Sequence, residues 1–113
     1  MSERRRLLAE GSIGSLALRN RIVLPAMDQN LCDDGELTEA NLSHYEERAA
    51  AGVGLLIVET SAVMWPVGAT SRLQPSLSTD ACIPGFTELA KRIHAHDAKV
   101  VVQMCHHGKT ALV

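Results

Sequence analysis

Short apolar runs alternate with amphipathic stretches along this chain. The runs at 21–25, 53–58 and 99–104 are rich in β-branched residues and lack polar alternation. Such runs are typical of strands that are covered on both faces. The alternating segment 13–18, followed by a polar turn, indicates one half of a β-hairpin. The pattern therefore predicts three buried strands that follow an N-terminal hairpin.

Two amphipathic helices are predicted between these strands. Thr38 is suited to the N-cap of a helix over 39–51, and Gly52 follows where a left-handed residue often ends a helix. Pro84 suits the first turn of a second helix that runs to about residue 96. The apolar stripes of the two helices comprise Leu42, Tyr45 and Ala49 in the first and Phe86, Leu89, Ala90 and Ile93 in the second.

The order β, α, β, α, β predicts a parallel sheet with right-handed crossovers. Two architectures fit this order: an open doubly wound sheet and the opening portion of a (β/α)8 barrel. In both, function resides at the carboxyl ends of the strands. The irregular segment 60–83 is longer than a simple connector, and loops of this length are usually functional.

Composition narrows the class of protein. The 113 residues are 46% hydrophobic and 21% charged, with a formal net charge of −2, which predicts an ordered, soluble chain of at most one domain. No apolar run approaches the roughly 20 residues of a membrane helix. With 11 basic against 13 acidic residues, nucleic acid is not expected as a partner.

The cysteines and the N-terminus predict a cytoplasmic protein. The Arg4 to Arg6 cluster precedes no apolar signal region, and we expect a frayed, solvated terminus there. Three widely spaced cysteines suit free thiols in a reducing compartment. The Cys and His spacings bring no pair of ligands onto one face, so no metal site is predicted.

Polar residues at the predicted strand ends are the candidate site. Thr60 follows the second predicted strand, and Gln103 lies at the end of the third. An amide both donates and accepts, so Gln103 either matches the imide edge of a flavin ring or bonds to neighbouring backbone. Thr60 either bonds a ring or starts a turn. The segment 25–27 either forms an apolar ledge for a planar cofactor or ends a strand. The adjacent His106 and His107 diverge, so that at most one faces a site.

Four motifs together resemble the old yellow enzyme family of flavin oxidoreductases. They retain the family's order and spacing, and the likeness covers nearly the whole chain from about Ile13. Within the family, the chain looks most like the 2,4-dienoyl-CoA reductase and 2-enoate reductase branch. The motifs are LRNRIVLPAM at 18–27, DGELT at 34–38, YEERAAAGVGLLIVET at 45–60 and QMCHHGK at 103–109.

The resemblance implies a (β/α)8 barrel that binds FMN at its strand ends and passes hydride from NADH or NADPH to an activated C=C bond. It places Thr60 beside the flavin and Gln103 at its pyrimidine end, and assigns no catalytic residue or metal ligand to this chain. Lys109 stands where the family usually has Arg, and Asp28 where many members have Thr. The residues implied to line the flavin through their backbone are Pro25, Ala26 and Met27.

The resemblance also implies that these residues are the N-terminal part of one FMN-binding domain, residues 1–113. A barrel of this type takes about 250 residues, and three strands cannot close one. The expected partners are therefore the remainder of the barrel and an enoyl or enone substrate. The residues leave the oligomeric state open, with a homo-oligomer as one alternative. The family's substrate-activating pair, its proton-donating Tyr, its FMN phosphate site and any iron–sulfur cluster or FAD would lie in later segments, and the piece alone would be inactive.

Two other interpretations of the residues remain open here. The first is a non-catalytic α/β module that associates with itself, since runs such as 53–58 would leave aggregation-prone strand edges. The second is a barrel without flavin, such as an aldolase, for which Glu59 and Lys109 are the candidate residues at the strand ends.

Overall fold

A computed structural model of the chain describes residues 2–111. The elements follow the order predicted from the apolar runs, with one additional N-terminal helix. They are α1 (Glu3–Leu8), β1 (Gly11–Ile13), β2 (Leu16–Leu18), β3 (Val23–Leu24), α2 (Glu39–Ala50), β4 (Leu55–Ala62), α3 (Ile83–His94) and β5 (Lys99–Cys105).

Residues 2–111 form two sheets. The strands β3, β4 and β5 form a parallel sheet in which neighbours along the chain are neighbours in space. The strands β1 and β2 form a separate antiparallel hairpin. The predicted hairpin is confirmed, but segment 13–18 spans its turn instead of forming one strand. Gly14 allows that turn because it adopts a φ of 56°, which is favourable for glycine. None of the helices in residues 2–111 is long and apolar enough to cross a membrane.

The N-terminal segment is more ordered than the sequence suggested. The Ser2 hydroxyl accepts a hydrogen bond from the Arg5 N–H and caps α1, although the three arginines of this helix are exposed. The Arg21 N–H donates to the Leu7 carbonyl and ties α1 to the chain that enters β3. The expectation of a frayed terminus was therefore wrong, whereas that of a solvated one was right.

The helices α2 and α3 cover one face of the parallel sheet. Their apolar stripes pack on alternate residues of the strands, as the 3.6-residue and two-residue periods require. The opposite face carries Val23 and Val101, which are 41% and 42% exposed, and no helix within residues 2–111 covers it. We call this the open face. The buried core comprises Leu42, Tyr45, Ala49, Leu56, Val58, Leu89, Ile93 and Ala98.

Arg19 joins the carboxyl ends of both helices. Its guanidinium donates to the Ala49 carbonyl at 2.6 Å, to the Val53 carbonyl at 2.8 Å and to the His96 carbonyl. The last carbonyls of a helix lack intrahelical partners and attract positive charge. This arginine of the LRNRIVLPAM motif therefore stabilises the amino end of the sheet.

We expect Arg19→Met to lower the free energy of unfolding by about 1–3 kcal/mol, because three partly buried carbonyls lose a charged donor. Thermal unfolding of the full-length protein measures the change. Arg4→Met, on the exposed surface of α1, is the control and should stay within about 0.5 kcal/mol of the wild type. Equal melting temperatures for the two variants would contradict this role.

Candidate functional site

The three parallel strands end at one edge of the sheet, which we call the carboxyl edge. Pro25 follows β3 directly, while Thr60 and Gln103 lie near the carboxyl ends of β4 and β5. Strands that run in parallel bring their carboxyl ends together, so residues far apart in sequence converge here.

Thr60 and Gln103 are in direct contact. The Thr60 hydroxyl donates to Gln103 Oε1 at 2.7 Å, which fixes the plane of the amide. Gln103 is exposed, and its Nε2 makes no hydrogen bond within residues 2–111. The amide therefore presents two N–H donors above the open face.

The segment 25–27 forms an extended ledge at the same edge. Pro25 and Met27 are exposed, and Ala26 is half-buried. The side-chain amide of Gln29 donates to the Met27 carbonyl at 2.8 Å. The ledge is apolar in its side chains and polar only through its backbone. Such a surface suits one side of a flat ring.

A β-bulge places Thr60 on the open face. Glu59 and Thr60 of β4 stand opposite the single residue Gln103 of β5. Side chains alternate along a regular strand, so without the bulge Thr60 would face the helices, as Val58 does. The extra residue instead turns Glu59 toward Tyr45 of α2. The strand therefore continues past the end predicted at residue 58, and the predicted site residue lies inside it.

Glu59 is held in the interior by three hydrogen bonds. The Tyr45 hydroxyl donates to Glu59 Oε2 at 2.5 Å and accepts from the Glu59 N–H at 3.0 Å. The Gln29 N–H donates to Glu59 Oε1 at 3.2 Å. Glu59 is 0% exposed and Tyr45 is 1% exposed. Glu59 thus points away from the open face, and this placement disfavours the aldolase interpretation.

Burial dominates the titration behaviour of this interior cluster. It raises the pKa of Glu59, with a smaller contribution from the charge of Asp28, and it raises the pKa of the Tyr45 hydroxyl. Burial and then the charge of Glu59 raise the pKa of the Cys32 thiol to about 12. A thiol with such a pKa stays protonated and unreactive at neutral pH.

The raised pKa of Glu59 makes stability depend on pH. The folded protein holds this proton more tightly than the unfolded chain, so the resulting stabilisation is complete below the ordinary pKa of glutamate. This stabilisation is lost as the pH rises through the higher pKa that Glu59 has in the folded protein. We therefore expect the melting temperature of the wild type, relative to that of Glu59→Gln, to fall by a few degrees between about pH 4 and pH 8. Thermal scans at matched ionic strength measure it, and a pH-independent difference would contradict it.

Asp28 connects the loops that follow β3 and β4. Its carboxylate accepts from the Nε2 of Gln74, a residue that is 1% exposed, at 3.3 Å, and Gln74 Oε1 accepts from the Thr70 N–H. Burial raises the pKa of Cys105 at the end of β5, and the charge of Asp28 raises it further. Asp28 therefore lies among the ends of the three strands.

The two histidines diverge, as expected for adjacent residues. The His106 ring accepts from the Gly108 N–H at 3.0 Å and packs on Gly68, where an added Cβ would lie 2.9 Å from the ring. The Nε2 of His107 lies 3.5 Å from the sulfur of Cys105. Lys109 is exposed.

The sequence pattern does not identify three residues near the site: Tyr45, Gln29 and Gln74. Tyr45 occupies an apolar stripe, where an aromatic residue usually only packs. Glu59, at the end of an apolar run, is the feature of the sequence that indicates such partners. A buried carboxyl group requires hydrogen-bond donors from elsewhere in the fold.

The fold and the carboxyl edge define a class of protein. Sequential parallel strands with alternating helices, a preceding hairpin and polar side chains at the carboxyl edge are the features expected of the opening three strands and two helices of a (β/α)8 barrel. The chain belongs to the NADH:flavin oxidoreductase / NADH oxidase family, whose model matches residues 11–113. The old yellow enzyme family predicted from the motifs is thereby confirmed, while the branch within it stays a prediction.

Curated relatives agree with the family. The chain is 41% identical over 104 residues to an NADH oxidase of Thermoanaerobacter brockii, and the match covers 91% of this chain and 16% of the relative. It is 41% identical over 108 residues to an NADPH dehydrogenase of Halalkalibacterium halodurans, with 94% of this chain and 32% of the relative covered. The chain therefore spans a third or less of these relatives.

Solved structures share the fold. A 2-naphthoyl-CoA reductase in complex with 2-naphthoyl-CoA matches with a TM-score of 0.90 and 26% identity, over 95% of this chain and 16% of that one. A morphinone reductase in complex with tetrahydroNAD matches with a TM-score of 0.85 and 25% identity, over 93% of this chain and 28% of that one. These matches confirm the barrel and exclude the open doubly wound sheet.

Proposed function

We propose that this chain supplies part of the flavin site of an FMN-dependent oxidoreductase of the ene-reductase type. The whole protein takes hydride from NADH or NADPH and passes it through FMN to an activated C=C bond. In this proposal residues 1–113 are the N-terminal part of one FMN-binding barrel domain, and the remaining strands supply the substrate-activating residues and the phosphate site.

The observation that carries this proposal is the contact between Thr60 and Gln103 beside the ledge at 25–27. Three segments far apart in sequence present a fixed amide, a hydroxyl and a flat apolar backbone at one edge. This donor set fits FMN, because the pyrimidine end of a flavin offers carbonyl acceptors and an N–H donor to a side-chain amide.

Each residue has a defined task when FMN is bound. FMN supplies the ring that carries the hydride. The hydroxyl of Thr60 holds Oε1 of Gln103, so Nε2 is left to bind the pyrimidine end. Pro25, Ala26 and Met27 exclude water from one side of the ring and offer backbone groups to it. No residue of this set transfers a proton, and the catalytic acid is expected from a later strand.

Named relatives support the reductant and the substrate class. The morphinone reductase match contains a nicotinamide analogue, and the naphthoyl-CoA reductase match contains an aromatic acyl thioester. The curated relatives are named for NADH and NADPH. These names agree with an enoyl or enone substrate and with NADH or NADPH as the reductant. An iron–sulfur cluster, FAD, homo-oligomer formation and a cytoplasmic location stay predictions.

Anaerobic reduction tests the proposal. The full-length protein is supplied with FMN, freed of unbound flavin and mixed with NADH or NADPH. We expect bleaching of the bound flavin absorbance, followed by its return when an enone is added. A protein that retains no FMN, or whose flavin stays oxidised with both nicotinamides, would refute the assignment.

A further inference from the structure

The buried pair Tyr45 and Glu59 lies directly behind the candidate flavin site. A carboxyl group with 0% exposure is costly to a fold unless hydrogen bonds compensate for its lost hydration. Apolar residues would fill the same space at lower cost. The pair therefore requires an explanation beyond packing.

Tyr45 satisfies the backbone group that the bulge leaves free. A bulge residue loses its place in the ladder, and the unpaired N–H must find another acceptor. Here the Glu59 N–H donates to the Tyr45 hydroxyl at 3.0 Å, while the same hydroxyl donates to Glu59 Oε2 at 2.5 Å. The bulge is thus fixed to helix α2, and the bulge is what turns Thr60 toward Gln103.

Glu59 also contacts the segment that follows β3. Its second oxygen accepts from the Gln29 N–H at 3.2 Å, and the Gln29 side chain in turn donates to the Met27 carbonyl at 2.8 Å. One carboxylate therefore connects helix α2, the end of β4 and the ledge at 25–27.

We propose that Glu59 and Tyr45 are positioning residues for the flavin: from behind the sheet they set the placement of Thr60 and of the backbone ledge at 25–27. This inference rests on the proposed function. It assigns a role in cofactor binding to two side chains that face away from the cofactor.

The test compares FMN binding by three variants of the full-length protein. Glu59→Leu removes both acceptors, and we expect the FMN dissociation constant to rise by about tenfold or more. Tyr45→Phe removes one hydroxyl but keeps the ring in the core, and a rise of about fivefold is expected. In Glu59→Gln, Oε1 still accepts from the Gln29 N–H and Nε2 donates to the Tyr45 oxygen, so a change below about threefold is expected.

A matched control separates positioning from stability. Arg19→Met weakens the amino end of the same sheet, and we expect it to lower the melting temperature while leaving the FMN dissociation constant unchanged. All titrations are made well below the lowest melting temperature. The visible bands of bound flavin are recorded with them, and we expect these bands to shift in Tyr45→Phe but not in Arg19→Met.

The outcomes are distinct. If wild-type protein binds FMN and Tyr45→Phe binds it equally well with an unchanged spectrum, the pair is only structural and this inference is wrong. If Arg19→Met weakens FMN binding as much as Tyr45→Phe at equal loss of melting temperature, the inference is also wrong. If wild-type protein binds no FMN, the proposed function itself fails.

Discussion

Replacing Gln103 by leucine is expected to raise the FMN dissociation constant of the full-length protein by about tenfold to a hundredfold. Leucine is close to glutamine in volume but can neither accept from Thr60 nor donate to the pyrimidine end of the flavin. Two or more hydrogen bonds in a shielded site are lost, and each is worth about 1 kcal/mol or somewhat more. Titration of the apoprotein with FMN, followed by quenching of flavin fluorescence, measures the change.

Two companion variants show which part of the amide matters. Gln103→Glu keeps an acceptor for Thr60 but removes the amide donors, so it should bind FMN as poorly as Gln103→Leu or worse. Thr60→Val removes only the hydroxyl that orients the amide, and a smaller loss of about fivefold is expected. Binding by Gln103→Leu within about twofold of the wild type would show that FMN does not contact this amide.

The largest effect on stability is expected from Gly54→Ala, which should lower the free energy of unfolding by about 2–4 kcal/mol. An added Cβ would lie 2.5 Å from Asn20 Oδ1 and 3.0 Å from the Asn20 carbonyl oxygen. Asn20 cannot turn aside, because its side chain donates to the Gly52 carbonyl at 2.7 Å and accepts from the Ile22 N–H at 3.0 Å. The methyl group must therefore break these hydrogen bonds or push apart the segments that enter β3 and β4. Denaturant titration of the full-length protein measures the loss.

Gly85→Ala is the matched control. It adds the same methyl group inside helix α3, where the nearest atom, the Leu37 Cβ, lies at an ordinary contact distance of 3.5 Å. Because alanine favours a helix over glycine by about 1 kcal/mol, this variant should be neutral or more stable. Equal losses in the two variants would show that the close approach of Asn20 does not limit the fold.

The order of the elements from the hairpin onward was predictable because the apolar pattern distinguishes strands from helices there. Three β-branched runs became β3, β4 and β5, and the predicted helix starts at Thr38 and Pro84 agree with the structure within one residue. The family resemblance then selected the barrel from the two architectures that the pattern allowed. Neither step required side-chain contacts, since periodicity is a local property of the sequence.

The bulge at Glu59 and Thr60 was not predictable from this pattern. One extra residue shifts the alternation, and its position depends on the Tyr45 hydroxyl, which approaches from a helix 14 positions earlier in the chain. Gln103 and Thr60 were identifiable as candidates because polar residues at strand ends are conspicuous. Tyr45 was not, because its ring packs in the core and only its oxygen takes part in the network.

The contact of Arg19 with the His96 carbonyl has a consequence for the order of folding. The two residues are 77 positions apart, and β3 itself contributes only two residues to the sheet. Closing so long a loop costs entropy before any contact compensates for it. On a ribosome, the arginine emerges early but cannot complete its contacts until helix α3 has left the exit tunnel. The amino end of this sheet should therefore close late, and substitutions at Arg19 should speed unfolding more than they slow folding.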